Sequence, residues 1–215
     1  MTSSEADLCL TSLRVEDFLT KLAGDQPAPG GGSAAALAGA MAAALACMVV
    51  HLTIGRERYA AYQQVMFVVR DRASMLLERL AVLVDEDARA YQEVIKAYSL
   101  PKVTDAEKYL RSAEIQRALR RAAEVPLEAA EACAELIELA ATSAAHGNRN
   151  AASDAGVAAL LAQAGMRGAV LNVRTNLNCL QDPVLTAATE DRLCQLLDRG
   201  EVALVRALNA VGLGD

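Results

Sequence analysis

The chain has 215 residues, of which 53% are hydrophobic, 22% are charged and only 3% are aromatic. This length suits one domain with a sizeable core, and the apolar content of mainly Ala, Leu and Val favours closely packed helices over a β-sandwich. The formal net charge is −6, and no run of Lys and Arg is present. A nucleic-acid partner would need a basic face, so we expect none.

The first third of the chain predicts two helices around a glycine-rich loop. Residues 15–23 have the period of a short helix, and residues 24–32 hold two prolines and three consecutive glycines. Ser33 is suited to cap an Ala-rich helix that runs to about residue 54 and stops at Gly55. Residues 34–50 carry no charge, which is near the lower limit for crossing a membrane. Because this segment lacks aromatic anchors and a basic flank, we interpret it as a buried core helix.

The middle of the chain predicts long helices separated by proline. Residues 59–98 form one long helix or two stacked ones, and Pro101 ends the pattern. Thr104 and Glu107 have the spacing of a capping box, which starts a helix ending near residue 124. Pro126 suits the first turn of a further helix that reaches about residue 145.

The last third predicts two more helices. Asn150 or Ser153 caps a helix running to about residue 180, and Pro183 opens a final helix that ends near residue 210. Every connection is short, so successive helices should be antiparallel neighbours. We therefore predict a single all-α domain over residues 1–215, an up-and-down bundle of about seven helices with the long Ala-rich helix at its centre.

The cysteines and histidines indicate neither a disulfide framework nor a metal site. The five cysteines are an odd number with no close pair, which predicts small buried thiols in a reducing compartment. The two histidines, His51 and His146, are not spaced as metal ligands, so we expect no metal. The first ten residues lack the basic start of a signal peptide, and a cytoplasmic location is expected.

One carboxylate falls on the core-facing side of the long helix. Asp87 lies four residues after Leu83 and four before Tyr91, on an apolar stripe with steps of three and four. Asp85 and Glu86 lie off that stripe and are interpreted as a solvated face. A carboxylate aimed at a core is costly unless it is hydrogen-bonded or serves a site. Asp87 is thus either a satisfied buried group or a site carboxylate, and both interpretations stay open.

The loop before the Ala-rich helix is a candidate ligand site. Glycines let the backbone approach a ligand closely, and a following helix offers free amides and a positive dipole end. Gly31, Gly32 and Ser33 are therefore candidates for binding a substrate oxygen. The alternative is a tight turn before a crowded helix.

Three polar residues share one face of the helix predicted from about residue 150. Asp154, Asn172 and Asn176 are separated by steps of 18 and 4. Asp154 and Asn172 would lie about 27 Å apart along a straight helix. They therefore serve different ends of a long ligand, or they belong to different sites, for which a subunit boundary is one arrangement. As an acid in the first turn of a helix, Asp154 also interacts favourably with the helix dipole, which would explain its presence without any function.

Several sequence segments resemble those of the cyclodeaminase/cyclohydrolase family of folate one-carbon enzymes, and they occur in the same order as in that family. They are PAPGGGSAAALAGAMAAALACMV with LTIGRERY, DEDARAY, LPKVTDAEK with IQRAL, VPLEAAE, and GNRNAASDAGVAALLAQAGMRGAVLNVRTNL, and they span about residues 15–182. The resemblance implies an all-helical homodimer that acts on a tetrahydrofolate derivative and needs no further cofactor.

The resemblance also implies roles for individual residues. Asp87 and Asp154 would be the catalytic or cation-stabilising carboxylates, and Asn172 and Asn176 would hydrogen-bond a pterin edge. Further substrate-binding residues would be Gly31, Gly32, Ser33, Tyr91, Lys102 and Lys108, the two lysines meeting the glutamate tail. Surface solvation is the alternative for both lysines.

Three functions remain open on this basis. The first is hydrolysis of 5,10-methenyltetrahydrofolate to 10-formyltetrahydrofolate, which is reversible. The second is cyclodeamination of 5-formiminotetrahydrofolate with release of ammonia. The third is a helical dimer that binds folate without catalysis.

Overall fold

The computed structural model describes residues 9–212, and all regular secondary structure in that range is helical. Six α-helices are present there, which confirms the all-helical prediction: α1 (Val15–Leu22), α2 (Gly31–His51), α3 (Gln63–Tyr98), α4 (Asp105–His146), α5 (Ala152–Leu177) and α6 (Pro183–Ala210). Short 3₁₀ helices cover Leu10–Ser12, Glu57–Tyr62 and Arg149–Ala151. Residues 1–8, where no signal peptide is expected, and residues 213–215 lie outside the described range.

The expected break near residue 125 is absent, and this lowers the helix count below the expected seven. Pro126 lies inside α4 instead of starting a new helix. Proline has no N–H for the carbonyl four residues earlier, which here is the Ala122 oxygen. The Asn176 side chain of α5 donates to that oxygen at 2.6 Å. A side chain of the neighbouring helix α5 therefore replaces the missing helical hydrogen bond, and α4 continues through Pro126.

The helix ends confirm some of the predicted caps and contradict others. Thr104 and Glu107 form the capping box of α4 as predicted, and Pro183 starts α6 after Asp182. Ser33 does not cap α2, because the helix already begins at Gly31 after Gly30. Neither Asn150 nor Ser153 caps α5, whose N-cap residue is Ala151 with no side-chain hydrogen bond. Both errors arise because the helix starts before the best polar residue is reached.

Each helix from α2 to α6 contacts the next one in an antiparallel sense. The contact positions rise along one helix as they fall along the next, as the contacts Ser33–Val84, Cys47–Ser74, Arg72–Glu135, Arg79–Glu128, Ala122–Asn176, Arg167–Glu201 and Arg174–Glu190 show. The start of α2, the second half of α3 and the end of α5 consequently meet at one end of the molecule.

Glycines allow α2, α4 and α5 to approach closely. A Cβ atom placed on Gly39 would lie 2.6 Å from the Cys133 sulfur, and one on Gly165 would lie 2.9 Å from it. Burial raises the pKa of the Cys133 thiol to about 12. Cys47 is also buried, but Cys9, Cys179 and Cys194 are exposed, so the prediction of buried thiols holds for two of the five.

The polar side of α3 is not the solvated face that was predicted. Asp85 is 7% exposed and accepts a hydrogen bond from the Leu10 backbone N–H at 2.5 Å. Glu86 binds Arg79 and Arg121, both at distances near 3 Å. The hydrogen bonds that Arg79 donates stabilise the charged carboxylate of Glu86 and thereby lower its pKa. These acids join α3 to the N-terminal segment and to α4.

Two helical segments within residues 9–212 are long and apolar enough to cross a membrane, Gly31–His51 and Arg149–Leu177. In the most apolar window of the first, 61% of the residues are buried inside the protein, and in that of the second, 50% are. Burial of this extent is expected of helices in a protein core, which can be as long and as apolar as a membrane-spanning helix.

Candidate active site

A cavity of about 360 Å³ opens where the start of α2, the second half of α3 and the end of α5 meet. It brings together six of the ten predicted site residues: Gly31, Gly32, Asp87, Tyr91, Asn172 and Asn176. These residues come from three helices that are far apart in sequence. We call this space the Asp87 cavity.

Asp87 reaches the cavity from α3 and lies directly against the start of α2. The Ser33 hydroxyl is 3.0 Å from Asp87 Oδ2 and 2.9 Å from the Val84 carbonyl oxygen. A Cβ atom on Gly32 would lie only 2.0 Å from Asp87 Oδ1. The carboxylate therefore occupies the space that any side chain at position 32 would need.

Burial decides the protonation behaviour of this carboxylate. Loss of water raises the pKa of Asp87, while the hydroxyl and the backbone amide of Ser33 partly offset that rise by bonding the charged form. The first turn of α2 also presents its positive end to the carboxylate. The result is a half-buried base that holds a proton more readily than an ordinary aspartate does.

Two amides on α5 present acceptor oxygens to the cavity. The Asn172 side chain donates through Nδ2 to the Gly168 carbonyl oxygen at 2.9 Å, and the Asn176 side chain donates to the Ala122 oxygen. Because a carbonyl can only accept, the nitrogen end of each amide is fixed towards the protein. The Oδ1 atoms, one helical turn apart, can then accept hydrogen bonds from N–H groups of a ligand.

The apolar stripe of α3 changes its role beyond Asp87. Leu80 and Leu83 are fully buried, as predicted for a core face. Tyr91 and Tyr98, further along the same stripe, are 37% and 47% exposed and line the cavity. Periodicity identifies this face, but it does not distinguish a core contact from the wall of a cavity.

Ser33 contributes to the cavity without reaching its surface. Its side chain is completely buried, and it is not among the residues that line the cavity. The structure therefore does not place its hydroxyl where it could hold a substrate oxygen directly. Ser33 acts on the site through Asp87.

Three other predicted site residues lie away from the Asp87 cavity. Asp154 is in the first turn of α5, 18 residues before Asn172, which corresponds to about 27 Å along the helix. Lys102 and Lys108 are exposed near the start of α4, and Lys108 pairs with Asp105 at 2.9 Å. None of the three lines the cavity within one chain.

Sequence reasoning missed two cavity residues that it could have found. Thr175 and Cys179 line the cavity beside Asn172 and Asn176. The four positions follow steps of three, one and three, which keeps them on one side of a helix. Extending the polar face of α5 by one turn would have included them.

Within residues 9–212, no three His, Cys, Asp or Glu side chains are grouped so that they could hold a metal ion. The Asp87 cavity offers one carboxylate and two amides, a set suited to a small organic ligand. The fold and this site together define an all-helical protein with a largely apolar cavity that holds one half-buried carboxylate and two amides.

Residues 14–195 match the sequence profile of the formiminotransferase-cyclodeaminase family. The chain belongs to this family, which confirms the resemblance drawn from its motifs. A methenyltetrahydrofolate cyclohydrolase of Methylorubrum extorquens is 45% identical over 195 residues, which cover 91% of both chains. A formimidoyltransferase-cyclodeaminase of Mus musculus is 35% identical over 96% of this chain but only 38% of its own length.

A solved structure shares the fold. The crystal structure of formiminotetrahydrofolate cyclodeaminase from Thermotoga maritima superposes with a TM-score of 0.85 and 28% identity. The match covers 94% of this chain and 98% of that one. The chain thus corresponds in extent to stand-alone members and to about two fifths of the longer mouse protein.

Proposed function

We propose that the protein hydrolyses 5,10-methenyltetrahydrofolate to 10-formyltetrahydrofolate in a reversible reaction. The observation that carries this proposal is the half-buried Asp87 carboxylate at the start of α2, in a cavity with two amide oxygens. The 45% identity to a methenyltetrahydrofolate cyclohydrolase over nearly the whole chain supports the choice of substrate.

The chemistry follows from the charge of the substrate. The methenyl carbon belongs to a delocalised amidinium cation, which a carboxylate in a water-poor cavity attracts. Water adds its oxygen to that carbon and gives a proton to Asp87. The bond from the carbon to N5 then breaks as N5 takes the proton from Asp87, the remaining hydroxyl loses its proton to water, and the formyl group stays on N10. The steps need no metal and no cofactor besides the folate itself.

The main alternative is cyclodeamination of 5-formiminotetrahydrofolate. Here N10 attacks the formimino carbon and its proton passes to the formimino nitrogen; the resulting amino group takes one more proton and leaves as ammonia. The raised pKa of Asp87 favours this reaction too, because a carboxyl group that retains a proton can donate it. The relatives from mouse and Thermotoga maritima carry cyclodeaminase names.

The methenyl chromophore separates the possible functions in one assay. Purified protein given methenyltetrahydrofolate should accelerate loss of its absorbance, and the Asp87→Asn variant should not. If the protein instead forms the chromophore from formiminotetrahydrofolate and releases ammonia, cyclodeamination is the main activity. Binding of either folate without any turnover would leave the non-catalytic folate-binding dimer.

We further propose that two copies associate through α2 and α5. Both helices are unusually apolar, and their sides that face away from the core carry exposed aliphatic residues: Met41, Met48, Val157, Leu160 and Leu171. An exposed apolar face of this kind favours an interface between proteins. A homodimer would cover it, and mass measurement in solution tests this.

The same arrangement offers a role to Asp154. Since α2 and α5 are antiparallel, a two-fold axis perpendicular to them would place the Asp154 end of one copy beside the Asp87 cavity of the other. We propose that Asp154 acts as the second carboxylate only in that way.

We also propose that the chain forms a single up-and-down bundle with α2 at its centre. The antiparallel order of α2 to α6 supports one up-and-down bundle forming a single domain. Contacts of α2 with α3, α4 and α5 support its central position. The net charge of −6 and the half-buried apolar helices are compatible with a cytoplasmic protein that binds neither nucleic acid nor membrane.

A further inference from the structure

A second cavity adjoins the Asp87 cavity across a shared wall. It has a volume of about 300 Å³ and lies between the α1–α2 loop and the last turns of α3. Both spaces are lined by Pro27, Ala28 and Tyr91. We call the second space the Lys96 groove, since its other lining residues are Gln26, Gln92, Ile95 and Lys96.

The charges of the two spaces are opposite. The described residues that line the Asp87 cavity include the Asp87 carboxylate and no Lys, Arg or His. The described residues that line the Lys96 groove include one Lys and no Asp or Glu, with two amide side chains beside the Lys. A ligand that fits both spaces would carry positive charge at one end and a carboxylate at the other.

The proposed substrate has this distribution of charge. Its amidinium carbon is cationic, and an aromatic ring and an amide separate that carbon from the carboxylates of the glutamate tail. Asp87 and Lys96 are nine residues apart on α3, which corresponds to about 13.5 Å along the helix. The same spacing puts the two side chains on opposite sides of α3, so a ligand that reaches both must pass around the helix. Tyr91 lies between them in sequence and lines both spaces, so its ring can contact the aromatic ring of such a ligand.

We propose that the glutamate tail leaves the Asp87 cavity over Tyr91 and that its carboxylates bind Lys96 in the groove. This inference rests on the proposed function, because it assumes a folate in the Asp87 cavity. A Lys ammonium has three donors, so it can bind a carboxylate in addition to contacts within the protein. Lys96 therefore acts as a specificity residue for the tail, in preference to Lys102 or Lys108, which line neither space.

The test compares methenyltetrahydrofolate with methenyltetrahydropteroate, which lacks the glutamate. The Lys96→Met variant should raise KM for the glutamate-bearing substrate about two- to fivefold, the range for a solvent-accessible ionic contact, and leave kcat nearly unchanged. KM for the truncated substrate should not change. Lys96→Arg, which keeps the charge, should restore most of the affinity, and Arg206→Gln is the control for loss of a surface charge.

Other results would overturn the inference. An unchanged KM in Lys96→Met, or an equal rise for both substrates, would show that Lys96 does not recognise the tail. A glutamate-dependent rise in Lys102→Ala or Lys108→Ala alone would assign the tail to those residues. Calorimetric binding of tetrahydrofolate and tetrahydropteroate to the same variants answers the question independently of turnover. An inactive wild-type protein would thus refute the hydrolase proposal without deciding where the tail binds.

Discussion

The backbone of Gly32 and the carboxylate of Asp87 are in direct contact. A Cβ atom at position 32 would lie 2.0 Å from Asp87 Oδ1 and 2.5 Å from its Cγ, far inside van der Waals distance. Asp87 can therefore approach the first turn of α2 only because residue 32 has no side chain. The contact links the glycine loop to the candidate base.

Gly32→Ala should displace Asp87 and lower kcat/KM about 100-fold, since an error of about 1 Å in placing a reacting group costs this much. Gly31→Ala is the matched variant one position earlier. A Cβ atom there would lie 3.5 Å from Asn172 Nδ2, an ordinary contact, and we expect a loss of less than about tenfold. Steady-state kinetics on both variants measures the difference, and equal losses would contradict the contact as the cause.

Asp87→Asn should inactivate the protein and also stabilise it at neutral pH. Burial raises the pKa of Asp87 in the folded state, so the charged carboxylate opposes folding there. Removing this charge should raise the free energy of unfolding by about 1 kcal/mol at pH 7. Urea unfolding measures this difference.

The pH dependence of that difference has a defined sign. The favourable contribution of a protonated Asp87 is complete below its ordinary pKa and is lost as the pH rises through the raised value. The stability advantage of Asp87→Asn should therefore shrink as the pH is lowered towards about 4. A difference that grows at low pH would show that the carboxylate is stabilised, not strained, by its surroundings.

Ser33→Ala should move the acid limb of the kcat/KM profile to higher pH. The hydroxyl holds the charged form of Asp87, so its loss raises the pKa of that carboxyl further, and protonation inactivates the base sooner. Ser143→Ala is the matched control, because Ser143 is also buried but its hydroxyl has no hydrogen-bond partner among residues 9–212. An acid limb at the same pH in Ser33→Ala and the wild type would show that Ser33 does not influence the pKa of the catalytic carboxyl group.

The sequence correctly predicted several features of the site that depend on neighbours along one helix. The steps of three and four around Asp87 placed it on the inner face of α3, and the consecutive glycines marked the start of α2 as a place of close approach. Asn172 and Asn176 were likewise found from their spacing. Each of these inferences needs only the helical repeat.

The features that the sequence did not predict depend on partners far along the chain. Ser33 serves Asp87, 54 positions away, and Asp85 binds Leu10, 75 positions away. Pro126 looked like a helix start because its effect on α4 is cancelled by a residue of α5. No local pattern contains these pairings, since they are set by which helices become neighbours.

The hydrogen bond from Asn176 to Ala122 makes a prediction about Pro126. Asn176→Ala should leave the buried Ala122 oxygen without a donor and lower the free energy of unfolding by about 1–2 kcal/mol. In a Pro126→Ala background the new N–H of residue 126 can bond that oxygen, so the same substitution should cost less than about half as much. Urea unfolding of the four proteins gives the coupling energy, and additive effects would refute the replacement of the helical hydrogen bond.

Asp154 can be tested by mixing inactive subunits. If it completes the Asp87 cavity of the partner copy, Asp87→Asn and Asp154→Asn should each abolish turnover when expressed alone. Random pairing of the two variants makes about half of the dimers mixed, and each mixed dimer has one intact pair of acids, so about a quarter of the wild-type rate should return. Co-expression with two affinity tags and assay of the isolated mixed dimer measures this directly. Full activity of Asp154→Asn alone would show that Asp154 only interacts with the positive end of the α5 dipole. An inactive mixed dimer would show that Asp154 does not complete the cavity of the partner copy.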